Sequence, residues 1–148
     1  MPLHNLIQFF HLAAAIFWMG GMAFMVLALR APLTAQLQPP ERLRLLAAIL
    51  GRFFAVVAVS IAILLGTGMT LLLGAGARPA GWHAMAALGV LMMLIFGHIF
   101  FSPYRRLKRA VASADWPEGG RRAAQITLLA KINLGLGWLA IAAVMLWR

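Results

Sequence analysis

The sequence predicts an all-α fold, a four-transmembrane-helix bundle with both termini on the outer (periplasmic) side, and three observations carry that expectation. First, 64% of the 148 residues are hydrophobic and 11% charged, against about 45–50% and about 25% in a soluble domain. Second, the apolar residues fall into four long runs. Third, the basic residues are shared very unequally between the ends of those runs.

The runs set the elements. No charge occurs between Met1 and Leu29, between Arg52 and Arg78, or between Pro79 and Tyr104, and the stretch Ala123 to Trp147 is interrupted only by Lys131. Each reaches the roughly 20 residues that cross about 30 Å of hydrocarbon, so spans are expected near 5–29, 53–74, 82–102 and 124–147 in a single transmembrane domain, 1–148. The first run is long and lacks a basic leader, which favours a retained span over a cleavable signal peptide. The connections are expected to be loops. Arg30 to Gly51 carries Pro32, Pro39 and Pro40. Gly74 to Gly81 is a short Gly/Pro turn. Ser102 to Arg122 holds Ser102-Pro103 and Trp116-Pro117-Glu118-Gly119-Gly120.

Charge sets the orientation. Net charge is +10, from 13 Lys+Arg against 3 Asp+Glu. Arg30, Arg42, Arg44, Arg52, Arg105, Arg106, Lys108, Arg109, Arg121 and Arg122 flank the first and third connections, while the other side has Arg78 and Arg148. The side richer in Lys and Arg stays in the cytoplasm. The expected location is therefore a bacterial-type cytoplasmic (inner) membrane, multi-pass. The charge is accounted for by topology and anionic headgroups, so nucleic acid is not an expected partner and the lipid bilayer is. With no Cys in the chain, disulfides, thiolate metal sites and covalent haem attachment are excluded.

Polar residues within spans are the functional candidates, and the helical rise turns their positions into depths. An outer layer holds His4, His11 and His83, with Met69 and Thr70. His4 and His11 lie two turns apart on one face, continued by Ala15, Trp18 and Met22. An inner layer holds Arg52, His98, Lys131 and Asn133, a set of donors suited to an anion. His83 and His98 stand about 22 Å apart along one helix and cannot share an iron. His11 and His83 are the best-matched pair in depth. The expected cofactor is haem b in the outer half, with His11 as axial ligand and His83 or Met69 as the second. Trp18, Arg52, His98 and Asn133 are the further cofactor-binding candidates, serving a second haem, a quinone or a proton relay. Copper is the alternative, held by His4, His11, His83 and Met69, since imidazole and thioether ligands suit it. Each residue also has a plainer role: His4 as a solvated residue, His83 as an interfacial anchor beside Trp82, Lys131 as a snorkelling side chain. Asn133 shares a small-residue face with Gly137. Most of the nine methionines are expected to be filler.

Phe10-His11-Leu12 with Trp18-Met19-Gly20-Gly21 resembles the opening of the CopD-like small membrane proteins, a group that looks related to the HemJ-type protoporphyrinogen oxidases. Arg52, Thr67-Gly68, Gly81-Trp82-His83, His98 before Tyr104-Arg105-Arg106-Leu107-Lys108, and Ile132-Asn133-Leu134-Gly135-Leu136-Gly137 extend the resemblance along nearly the whole chain. It implies a four-helix membrane bundle. The HemJ branch implies b-type haem and porphyrinogen oxidation, with a porphyrin as partner. That branch carries a Lys two residues from the third-span His and an acid after the fourth-span Asn, where this chain has Met85 and Leu134. The CopD branch implies copper handling or uptake. Electron transfer or haem/porphyrin metabolism, copper handling, porphyrinogen oxidation and a non-catalytic membrane subunit thus stand as the alternatives, with oxidoreductase activity left open. Gly66/Gly68 and Gly135/Gly137 permit a homo-oligomer.

Overall fold

The computed structural model describes residues 2–74 and 76–147. Met1, Ala75 of the second connection and Arg148 of the outer basic pair lie outside the described residues. The chain runs α1 (Pro2–Phe24), a π-helical turn (Met25–Leu29), α2 (Arg30–Gln36), α3 (Pro39–Leu73), α4 (Ala80–Phe101), α5 (Pro103–Ala112) and α6 (Trp116–Leu146). Among the described residues there is no strand. The four continuous helical stretches Pro2–Gln36, Pro39–Leu73, Ala80–Ala112 and Trp116–Leu146 are each long and apolar enough to cross a membrane. Large apolar side chains such as Phe17, Leu27, Leu94 and Trp138 are exposed along them, the pattern of a surface that meets lipid rather than water. The chain is a multi-pass membrane protein.

The helices are longer than the apolar runs. At about 1.5 Å per residue, a 35-residue helix reaches roughly 50 Å, well past the hydrocarbon. The prolines expected to mark loops are the reason. Pro39 and Pro40 occupy the first turn of α3, and Pro117 that of α6, where the missing N–H has no partner to lose and the fixed φ favours helix. Only Leu37 and Gln38 separate α2 from α3, both extended. At Ser102 the following Pro103 disfavours helical backbone, and the break there is a single residue. Asp115 then caps α6 by accepting from the Glu118 N–H at 3.2 Å. Gly119, expected in a turn, lies inside α6, where an added Cβ would meet Leu43 Cδ1 at 2.9 Å. Its role is close packing against α3. The expected Gly/Pro turn separates α3 from α4, with Gly76 at φ +107°, and its last two residues, Ala80 and Gly81, already belong to α4.

α1 packs chiefly on α3, α4 on α6, and α5 on α6. The connections between α2 and α3 and between α5 and α6 meet at one end of the bundle, the basic end. The larger core lies there: Leu43, Leu46, Leu50, Phe54, Ile99, Tyr104, Leu107, Ala123 and Ile126. Phe54 meets the Tyr104 ring edge-to-face at 4.9 Å between centroids. A smaller cluster of Trp18, Met22, Val57 and Met92 fills the middle. Toward the termini, Gly81 lets α4 close on α6, its N–H donating to the Trp147 carbonyl at 3.1 Å. A Cβ at Gly81 would collide with the carbonyls of Ala143 and Trp147.

A candidate metal centre at the terminal end

α1 aims His11 at α3, where Thr67 meets it. The imidazole Nδ1 lies 2.8 Å from Thr67 Oγ1, and that hydroxyl in turn lies 2.6 Å from the Ile63 carbonyl oxygen. A carbonyl only accepts, so Thr67 spends its one hydrogen on Ile63 and offers His11 a lone pair. With the hydrogen placed there, His11 donates from Nδ1. In that arrangement Nε2 carries the unprotonated lone pair that a metal ligand needs. Gly68 makes room for this geometry: a Cβ there would stand 3.3 Å from His11 Cε1.

His11 opens on a cavity of about 190 Å³ whose wall includes Gly68, Met69, Trp82, Met85 and Met93. Three thioethers and one imidazole thus share one apolar chamber. Trp82 closes it on the α4 side, and the Arg78 guanidinium stacks over the Trp82 ring at 5.1 Å. Among the described residues, no three His, Cys, Asp or Glu side chains come together. The soft donors in this chamber are His11 and the methionines.

The expected pairing of His11 with His83 does not form. His83 is exposed and absent from the cavity wall. The wall of α4 is the stripe Trp82, Met85, Ala86, Val90 and Met93, at the i, i+3, i+4 spacing of one helix face. His83 follows Trp82 by one residue, about 100° round the helix, so Trp82 takes the inward position. Met69 does line the chamber. Trp18, two turns beyond His11, is buried in the central cluster with its ring edge-on to Phe96 at 6.3 Å. His4 is exposed.

The inner layer is also not assembled as expected. Arg52 and His98 are exposed, as is Lys131, while Asn133 is 1% exposed and donates from Nδ2 to the Met92 carbonyl at 3.2 Å. Gly137 shares the inner face with Asn133, packed so closely that a Cβ would strike Met19.

Thr67, which contacts His11, and Trp82, Met85 and Met93, which line the cavity, are residues that reasoning from residue types passed over or took as filler. Met85 and Met93 lie eight residues apart and Trp82 three before Met85, a one-face stripe readable in the sequence.

Comparison with known proteins agrees on one point. No curated protein and no solved structure matches the chain. The CopD family model, described as copper resistance protein D, does match, over residues 47–147. That match covers α4, α5, α6 and most of α3, more than half of the chain, and the protein belongs to the CopD family.

Proposed function

We propose that the protein binds copper in its monovalent state in the chamber at the terminal end and handles it as cargo at the membrane. His11 Nε2 and the thioethers of Met69, Met85 and Met93 are the ligands. The observation that carries this reading is the His11–Thr67–Ile63 chain, which leaves Nε2 free to coordinate in a chamber lined by three methionines. Thioethers select monovalent copper, and imidazole suits it. Membership in a family described by copper resistance supports the same metal.

Haem b, the leading expectation from sequence, takes His11 with His83 or Met69 as its axial ligands. The chamber offers one imidazole, and its volume of about 190 Å³ compares with the ~150 Å³ cavity that accepts a benzene ring. A tetrapyrrole asks for more room than this, and copper does not. No observation favours porphyrinogen oxidation or a quinone at this chamber.

The ten-to-two division of basic residues supports placing the basic end in the cytoplasm of a cell with a cytoplasmic (inner) membrane. The copper chamber then opens toward the outer side, where Arg78 and Trp82 stand at its rim. Anaerobic copper titration of the purified protein tests the reading. One copper per chain, lost in His11→Ala, is the expected result. A Soret band in place of copper would overturn it in favour of haem.

A further inference from the structure

The chamber at the terminal end has one side that an ion can use. Leu65 and Val90 stand exposed in its wall. At the helical rise they lie about 12 Å and about 15 Å from the terminal-side ends of α3 and α4, so hydrocarbon covers them. That layer is costly for a charge to cross. An ion therefore comes and goes at the terminal end, where Trp82, in the first turn of α4, walls the chamber.

The backbone there is pinned. Gly81, next to Trp82, donates to the Trp147 carbonyl at 3.1 Å and packs on the Ala143 carbonyl with no room for a Cβ. Only the indole side chain is left to turn, and the Arg78 guanidinium lies over that ring at 5.1 Å, a cation–π stack. The other side of the guanidinium is also held. Arg78 Nη2 lies 2.6 Å from the point where a Cβ on Gly74 would stand, and the Thr70 and Leu71 carbonyl oxygens lie 3.4 and 3.6 Å from that point. This is the C-terminal end of α3, where the helix carbonyls favour a cation. One side chain thus ties the end of α3 to the ring that walls the chamber on α4.

The seat carries a cost. Arg78 Nε is buried with no hydrogen-bond partner. A charged donor left unmet is expensive, and water meets it once the side chain swings out. The closed position is therefore held by the stack and the helix end, and opposed by Nε.

We propose that the Arg78–Trp82 stack is the gate of the chamber. Seated, the guanidinium blocks rotation of the indole; swung out to water, it frees the ring and opens the terminal end. The cargo assigned to this gate rests on the copper reading above, while the gate itself is testable without metal.

Two variants unseat Arg78 by different means. Arg78→Gln removes the guanidinium. Gly74→Ala puts a methyl in its seat and keeps the charge, and only the free end of a flexible side chain has to give way. The chain has no cysteine, so Ala86→Cys on the chamber wall reports access for a small, anionic, membrane-impermeant methanethiosulfonate in nanodiscs. Labelling is expected to run several-fold faster in each variant than in the Ala86→Cys protein alone. For Arg78→Gln that gain comes despite the loss of a charge that attracts the reagent. Stopped-flow exchange of monovalent copper in Gly74→Ala, with Ala86 native, is expected to show on- and off-rates rising together at an unchanged Kd, because a gate alters the barrier and not the bound state. Labelling that stays slow in either variant overturns the gate. So does a weakened Kd at an unchanged on-rate, the mark of a merely structural contact. Faster labelling in a protein that binds no copper upholds the gate and removes the copper reading.

Discussion

Replacing Thr67 by valine isolates the group that holds His11 Nδ1. Valine keeps the β-branched shape and loses only the hydroxyl, so the contact between α1 and α3 is preserved while the 2.8 Å bond to Nδ1 disappears. Nothing then dictates which ring nitrogen carries the proton, and the imidazole is no longer held toward the chamber. Losing a partner of this kind costs a metal site typically about 10–100-fold in affinity, or about 1.4–2.8 kcal/mol at about 1.4 kcal/mol per decade. Competition for monovalent copper with a chromophoric chelator reads the change directly. Thr67→Val is expected to weaken binding within that range, and Thr67→Ser, which restores the hydroxyl, to bind close to the native protein. Native affinity in Thr67→Val, alongside loss of binding in His11→Ala, would refute the argument that Thr67 orients the ligand.

Other substitutions separate ligand, packing and topology. Met93→Leu and Met85→Leu conserve volume, so stability changes by less than about 1.5 kcal/mol, yet each is expected to weaken copper binding in the same chelator assay. His83→Gln and His98→Gln, both at exposed positions, are expected to leave copper affinity unchanged; a loss in His83→Gln would restore the imidazole pair. Gly81→Ala pushes a methyl into the backbone carbonyls of Ala143 and Trp147 and is expected to cost about 1–3 kcal/mol, seen as a lowered Tm in detergent. Because the chain has no cysteine, Ala77→Cys and Ala112→Cys report topology cleanly. An impermeant maleimide is expected to label the first in intact cells and the second only after permeabilisation, and the reverse pattern would invert the orientation.

The fold class was legible because hydrophobicity and charge act on long stretches. Four apolar runs specify four helices whatever their neighbours do. Helix ends were less legible, since proline carries opposite meanings at the first turn and in the interior. Pro39, Pro40 and Pro117 start helices, although their sequence context marks turns. Depth along a helix was recoverable from the rise per residue, but rotation about its axis depends on which face meets a neighbour. One residue of rotation puts Trp82 on the chamber wall and His83 outside it. The same uncertainty grouped Arg52 and His98 with Asn133, which is the only one of the three that is buried. Asn133 itself, on a face with Gly137, was readable because small residues permit the close approach that buries a polar neighbour. Thr67 was visible as a motif residue, and only its contact across 56 positions showed what it holds.

The central claim is a soft copper site made from one imidazole and several thioethers. X-ray absorption at the copper edge, on protein loaded with monovalent copper, measures the coordinating atoms directly. The expected spectrum has sulphur scatterers together with one imidazole nitrogen, the nitrogen vanishing in His11→Ala. A first shell of nitrogen and oxygen alone, unaltered by replacement of Met69, Met85 and Met93, would contradict it.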